Sequence, residues 1–233
     1  MRHLIYSACL AGALSALAVT GAPAAEPVVL APAPTLDAPL ATHHGTETAV
    51  LSGGCFWGMQ DVFQHVKGVT EAISGYTGGA ANTASYEIVS SGTTHHAESL
   101  KIVYDPSVVS YGTLLRVFVS VAANPTDLNY QGPDHGSQYR SAIWVANPEQ
   151  RRIADAYIAQ LTAEHTFDAP IVTEVTTAMP FYPAEGYHQN FATLHPDSLY
   201  IATFDAPKVA ALAKLFPALY RPQPALVHTA TNG

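Results

Sequence analysis

The stretch LSGGCFWG, residues 51–58, sets one thiol, Cys55, behind two glycines and in front of Phe56, Trp57 and Gly58. Short apolar TAVLS precedes it, and Phe56, Met59, Val62, Phe63 and Val66 follow at helical spacing, so the thiol falls at a strand-to-helix junction. Unsatisfied N–H groups and the helix dipole at such a junction stabilise a thiolate, which predicts a lowered pKa and a reactive sulfur. Gly53 and Gly54 allow close approach of backbone to a ligand, and Gly58, costly within a first helical turn, marks a place where space is needed. Phe56 and Trp57 are either core residues or the walls of a small apolar pocket suited to a methyl or thioether group. A buried, inert cysteine is the competing reading of Cys55.

The elements that must hold this junction can be read from periodicity. VTEAISGYT and SLKIVYDP alternate as strands, and GYTGGAANTAS between them is a Gly-rich loop. VSYGTLLRVFVSVA carries an apolar stripe through Leu114, Leu115, Phe118, Val119 and Ala122 and predicts a helix. Residues 124–139, NPTDLNYQGPDHGSQY, form a loop long enough to be functional. RSAIWVA is a strand, NPEQRRIADAYIAQLTAE a helix capped by Asn147 with Pro148 in its first turn, PIVTEVT a strand, and KVAALAKLFPALY a last helix stopped at Pro217. Mixed strands and helices with varied connections predict an α+β two-layer sandwich with a mixed sheet and an irregular C-terminal extension.

The chain has 233 residues and a net charge of −8, with 10 Lys and Arg against 18 Asp and Glu. One domain of ordinary size with terminal extensions follows, with no basic patch for nucleic acid or an anionic membrane surface. Residues 1–25 pair Arg2 with an Ala-rich apolar run and a closing Ala22-Pro23-Ala24, the pattern of a cleaved signal peptide, which predicts a periplasmic or secreted protein. The run is too short to span a membrane comfortably, and Cys9 would leave with it. Residues 26–45 are rich in Pro and Ala and predict an extended tether, with His43 and His44 in solvent. The catalytic domain is expected over 46–220 and a flexible tail over 221–233. An exported chain normally pairs its cysteines, so a single retained thiol favours reactivity.

Seven blocks in order carry a resemblance: GGCFWG; GYTGG at 75–79; SYEIV with Tyr86 and Glu87; HAES at 96–99; IVYDPS at 102–107; QGPDHGSQYRSAI at 131–143; and FYPAEGYHQNF at 181–191. Together they resemble the A class of peptide methionine sulfoxide reductases, over roughly residues 47–195. The resemblance implies a ferredoxin-like sandwich, a Cys nucleophile, reduction of the S epimer of methionine sulfoxide in proteins or free, and neither metal nor bound cofactor. It makes Glu98 the acid that protonates the departing oxygen, a role needing a pKa raised by burial. Tyr86 and Tyr139 would donate hydrogen bonds to that oxygen, Asp134 would hold the polar side, and Phe56 and Trp57, with Gly54, would receive the methyl group. Cys55 would end as a sulfenic acid.

No cysteine follows Cys55, and Ser90 and Ser91 stand where many such enzymes have a resolving cysteine. The chain therefore resembles the single-cysteine type, regenerated by a thioredoxin-like or glutaredoxin-like domain or a small thiol. His95 replaces a usual Gly, and Ala123-Asn124 a usual HisAsp pair; His95 is near enough in sequence to Glu98 to shift its titration. Two rival readings remain. His43, His44, His95, His96, His135 and His188 could bind metal, although the CxxC pair that a zinc deaminase adds to HisAlaGlu is absent. A peroxide-reducing thiol enzyme would share the lone cysteine without needing an aromatic pocket.

Overall fold

The computed structural model describes residues 28–228, so the expected signal peptide lies outside the described residues. The chain runs β1 (Glu47–Ser52), α1 (Phe56–Gln64), β2 (Val69–Thr77), α2 (Tyr86–Val89), β3 (Ala97–Tyr104) and α3 (Tyr111–Val117). It continues through β4 (Tyr130–Gln131), β5 (Asp134–His135), β6 (Ala142–Val145), α4 (Pro148–Ala163), β7 (Glu174–Thr177), β8 (Phe181–Pro183), α5 (Phe191–Leu194) and α6 (Ala206–Leu215). Six strands form one sheet in the order β7-β6-β1-β3-β2-β8. Only the β6–β7 pair is parallel, so the sheet is mixed, as the sandwich reading predicted. β4 and β5 make a separate small ribbon.

Alternation along the strands sorts side chains to two faces. Ala49, Leu51, Leu100, Ile102, Ile143 and Val145 face a helical layer in which α1, α3, α4 and α6 supply Met59, Phe63, Leu114, Tyr157 and Leu212. The other face carries a smaller cluster of Ala97, Ala142 and Trp144 against Val50. There the Trp144 indole donates to Ser52 Oγ at 2.8 Å. Glu98 has the parity of Leu100 and Ile102, so β3 aims its carboxyl into the helical layer.

Two terminal stretches differ from their expectations. Residues 28–45 carry no helix or strand, as Pro and Ala dictate, yet they are laid along the domain and are not a loose tether. Proline removes N–H groups but leaves carbonyls, and these are used: Ala31 O accepts from Arg116 Nε at 2.8 Å and Pro32 O from Tyr157 Oη at 2.8 Å. Ala31 is fully buried, and Asp37 accepts from Gly112 N at 2.8 Å. His43 and His44 are exposed, with His44 also bonded to Asp105. Residues 221–228 are likewise held: Arg221 donates to Gln64 O at 2.9 Å and Val69 O at 2.8 Å, serving carbonyls at the end of α1 and the start of β2. The described part of the expected flexible tail is thus bonded to the domain.

Both stripes read as α3 and α6 are extended by one widened π turn, Phe118–Ala122 after α3 and Ile201–Asp205 before α6. β7 begins at Glu174 because the preceding residues leave the sheet, with Val172 N donating to Pro125 O at 2.8 Å.

Candidate active site

The nucleophile's position follows from the two glycines. After Ser52 the chain turns through Gly54 at φ +87°, where a Cβ would lie 2.5 Å from Cβ of Gln131; at Gly53 a Cβ would lie 2.5 Å from Cβ of Ala123. The glycines therefore admit the loop after α3, whose Ala123 and Gln131 side chains, with the Phe118 ring, come close. Gln131 spans it, accepting from Asn124 N at 2.8 Å and donating to Asn124 O at 2.8 Å. Ala123 and Asn124, which depart from the usual pair, thus pack directly behind the Cys55 turn.

Cys55 is the N-cap residue of α1, half-buried, with its sulfur served by the N–H of Trp57. The expected low pKa is not found: burial pushes the thiol well above its ordinary value, Glu98, Asp205 and Asp134 push it further, and the one backbone N–H does not offset them. At rest Cys55 is a thiol. Glu98, only 3% exposed, lies against the same helix end and accepts from Phe56 N–H at 3.1 Å. Burial raises its pKa to about 8, the Phe56 N–H opposing and Asp134 adding to the rise, so the carboxyl is protonated at neutral pH. One oxygen accepts from the backbone, leaving the other to carry the proton. His95, by contrast, is exposed, and only its carbonyl is engaged, by Arg140 Nη2 at 3.0 Å; it is not among the groups that set Glu98.

The two tyrosines arrive from different elements. Tyr86 begins α2, where Glu185 accepts from Tyr86 N and from Tyr76 Oη, both at 2.9 Å. Tyr139 closes a short 3-10 turn after β5. Burial raises both phenols, and Glu98, Asp134 and Cys55 act on each, so both stay protonated and able to donate beside the thiol and the acid. Asp134 accepts a short hydrogen bond from Tyr200 Oη. The five residues expected to be catalytic are therefore brought together.

The aromatic side is larger than the sequence indicated. Phe56 is 1% exposed and packs in a buried cluster with Tyr76, Val89 and Ala184, its ring 5.0 Å from His188 and 5.8 Å from Tyr76. Trp57 is half-buried and stacks on Phe191 at 3.8 Å and 9°, with Tyr200 edge-on at 5.9 Å. Its indole N–H, a donor only, donates to His188 Nδ1 at 3.1 Å, which fixes that nitrogen as an acceptor and the imidazole as neutral. Burial lowers the His188 pKa in the same sense. Gln189 and Asn190 hold this stretch under α1: Gln60 donates to Gln189 Oε1 at 2.9 Å and accepts from Asn190 N at 2.7 Å. A groove beside Cys55 is completed by Gly132, Pro133, Asp134, Tyr200, Phe204 and Lys208. His188 and Phe191 lie in quoted blocks without assigned roles, whereas Tyr200, Phe204, Asp205 and Lys208 lie beyond the last block. Only Gly58 hinted at the latter group, since a Cβ there would fall 2.1 Å from Asp205 Oδ1.

The six histidines of the metal reading are dispersed. Among the described residues no three His, Cys, Asp or Glu side chains gather as a metal-ligand group. His96 is buried with Nε2 on Ala80 O at 3.0 Å, and His188 serves Trp57.

A thiol, a neutral carboxylic acid, two phenols and an aromatic wall suit delivery of a proton to an oxygen on sulfur. Comparison with known proteins agrees with that chemistry. The family described as peptide methionine sulfoxide reductase matches residues 47–218. The chain belongs to this family. It is 59% identical over 188 residues to peptide methionine sulfoxide reductase MsrA 2 of Mesorhizobium japonicum, covering 81% of this chain and 96% of that protein. It is 52% identical over 168 residues to MsrA 2 of Synechocystis, covering 72% and 78%. Among solved structures, methionine sulfoxide reductase A of Corynebacterium diphtheriae aligns with TM-score 0.56 and 32% identity over 74% of this chain and 87% of that one. Reduced Mxr1 from Saccharomyces cerevisiae aligns with TM-score 0.60 and 26% identity over 69% and 94%. This methionine sulfoxide reductase is thus an oxidoreductase on the α+β fold of its family.

Proposed function

We propose that the chain reduces the S epimer of methionine sulfoxide in oxidised proteins, with Cys55 as nucleophile and Glu98 as acid. The observation that carries the reading is the protonated Glu98 carboxyl on the first turn of the helix that Cys55 caps. The Cys55 sulfur attacks the sulfoxide sulfur while Glu98 gives its proton to the oxygen, with Tyr86 and Tyr139 donating to that oxygen. The protonated oxygen passes to Cys55 as the sulfur–sulfur bond breaks, methionine departs, and the thiol proton returns to Glu98. Cysteine sulfur is oxidised by two electrons to a sulfenic acid and substrate sulfur is reduced by two. Trp57, beside the buried Phe56, receives the methyl group, and the separation of this apolar wall from the Glu98–Tyr139 side selects the epimer.

No cysteine follows Cys55 in the sequence, so the sulfenic acid is cleared by an external thiol, which gives one water and one disulfide. A thioredoxin-like or glutaredoxin-like domain or a small thiol supplies these electrons. Export rests on residues 1–25 and their Arg2, apolar run and Ala22-Pro23-Ala24 ending. The N-terminal mass of the secreted chain tests that part.

The reaction is tested by single turnover without reductant, each sulfoxide epimer given separately, counting methionine formed and Cys55 thiol lost. The expected result is about one methionine per protein from the S epimer alone, matched by thiol loss. Methionine from neither epimer, with the thiol intact, would overturn the reading.

A further inference from the structure

Asn190 opens α5 in the left-handed conformation, φ +59°, and is 8% exposed. Its side-chain amide pairs with both backbone groups of Val227: Oδ1 accepts from Val227 N at 3.0 Å, and Nδ2 donates to Val227 O at 2.9 Å. The same Oδ1 accepts from Gln64 Nε2 at 2.8 Å, so both of its lone pairs are used. Gln64 O in turn accepts from Ala225 N at 2.9 Å. Val227 belongs to the stretch after α6, and such terminal stretches are loosely held unless something ties them down. Here residues 225–227 are tied to the residue that immediately precedes the ring behind Trp57.

That ring needs the support. α5 is a single turn of four residues, Phe191–Leu194, too short to be stable by itself, and Leu194 is exposed. Phe191 is only partly buried, yet it lies flat on the Trp57 indole at 3.8 Å and 9°. The two residues before Asn190 are engaged elsewhere: His188 accepts from the Trp57 indole, and Gln189 exchanges hydrogen bonds with both backbone groups of Ser74 in β2. Trp57, Gln60 and Gln64 are three and four residues apart on α1 and so share one face. One end of that face carries the wall of the site and the other meets the tail, with Asn190 bonded to both glutamines between them.

We propose that residues 225–227 are a clasp on the aromatic wall: by pairing with Asn190, Val227 fixes Phe191 against Trp57 and so governs how closely the S-methyl group of the substrate is gripped. This rests on the reading of Trp57 as the methyl wall. Asn190 and Val227 are positioning residues, acting through the Phe191 ring. The acid and the phenols are held by other elements, Glu98 by β3, Tyr86 by its bond to Glu185 and Tyr139 by the turn after β5. Opening the clasp therefore weakens the fit of the methyl group and leaves the proton-delivering side in place.

The test uses the purified full chain with Val227→Pro, which deletes the N–H and keeps the carbonyl, beside Val227→Ala, which keeps both backbone bonds. The first readout is the ratio of single-turnover efficiencies for N-acetyl methionine S-sulfoxide amide and its S-ethyl homologue, a ratio that cancels any loss of folded protein. Val227→Pro should lower it about fivefold, with the half-saturating concentration of the methyl substrate raised by a similar factor at nearly unchanged maximal rate, and Val227→Ala should match the wild type. The second readout is the indole N–H NMR spectrum. The chain has two tryptophans, and Val227→Pro should move the Trp57 signal while that of Trp144, on the other face of the sheet, stays in place. A Pro variant with the wild-type ratio and spectrum, or Pro and Ala variants changed alike, would overturn the proposal, the second by making the side chain rather than the pairing responsible. Should the Pro variant not fold, Asn190→Gly takes its place with the same expectations, since glycine adopts the left-handed φ without the amide. A chain that folds with neither would make the pairing a requirement of folding and overturn the proposal too. The indole spectrum needs no sulfoxide turnover, so failure of the clasp is told apart from failure of the proposed reaction.

Discussion

Glu98→Gln should make the protein a poorer catalyst and a more stable fold at once. The carboxyl is 3% exposed, and burial takes its pKa from the 4.5 of an ordinary glutamate to about 8. A raised carboxyl pKa means that the folded state holds a proton the unfolded chain has released. Between about pH 4.5 and 8 stability therefore falls as pH rises, because keeping Glu98 neutral in the fold costs more with each unit. At pH 7 the interval from 4.5 is 2.5 units, and at 1.36 kcal/mol per unit the cost is about 3 kcal/mol. Glutamine is nearly isosteric, its amide oxygen can accept from Phe56 N–H as Glu98 Oε2 does, and it carries no such cost. Urea unfolding should show the variant more stable by up to about 3 kcal/mol at pH 7, with the gain vanishing below about pH 4.5.

Catalysis should move the other way. Glutamine donates a hydrogen bond but no proton, so the single-turnover rate at pH 7 should fall by roughly 10²–10⁴ while sulfoxide binding changes little. In the wild type the same rate should fall as pH rises through about 8, where Glu98 ionises, and Glu98→Gln should lack that limb. Quenched-flow measurement of methionine from pH 6 to 10 reads both. A Gln variant with the full rate at pH 7, or one whose stability gain over the wild type is no larger at pH 7 than at pH 4, would refute the reasoning.

Three further outcomes follow from single contacts. Tyr200→Phe removes the donor to Asp134 and should lower kcat/KM for methionine sulfoxide by about tenfold, the kinetic equivalent of about 1.4 kcal/mol, with little change in Tm. Gly54→Ala forces a side chain onto φ +87° and a Cβ to 2.5 Å from Gln131, and chemical denaturation should show a loss of about 1–3 kcal/mol. Arg221→Ala strips its guanidinium from Gln64 O and Val69 O and should destabilise the domain by about 1–3 kcal/mol, while the folded fraction keeps its kcat.

Local pattern made the scaffold legible and left its closing contacts hidden. β1, α1, β2, β3 and α4 repeat apolar residues at their own period, and Asn147 caps α4 as its side chain suggested, accepting from Gln150 N at 2.9 Å. β8, at three residues, and the Ile201–Asp205 turn are too short to carry a period, while the stripe through Phe118 and Ala122 shows a helix without showing that its last turn is widened. Pro and Ala composition in residues 28–45 reports only the absence of regular structure, whereas the anchoring of this stretch depends on donors in α3 and α4. Within the site, the Cys55 junction showed the helix N–H groups that favour a thiolate. Burial outweighs them first, then acidic groups from β3, the β5 ribbon and the turn before α6, and no local pattern links those to residue 55.

The corrected thiol explains the raised acid better than the expected thiolate would. A thiolate beside Glu98 would add a second anion to a buried pocket, and Coulomb repulsion would drive one of the two to take up a proton. With both protons in place at rest, neither group needs solvent to begin the reaction. In the proposed reaction a bound sulfoxide supplies the missing acceptor, its oxygen taking the Glu98 proton as the carboxyl takes that of Cys55. Net charge in the pocket is then unchanged from reactants to sulfenic acid, which low-dielectric surroundings favour over any route that separates charge. In the proposed reaction peroxide offers no methyl group to the Trp57 wall, so that wall favours the sulfoxide over peroxide at the same proton pair.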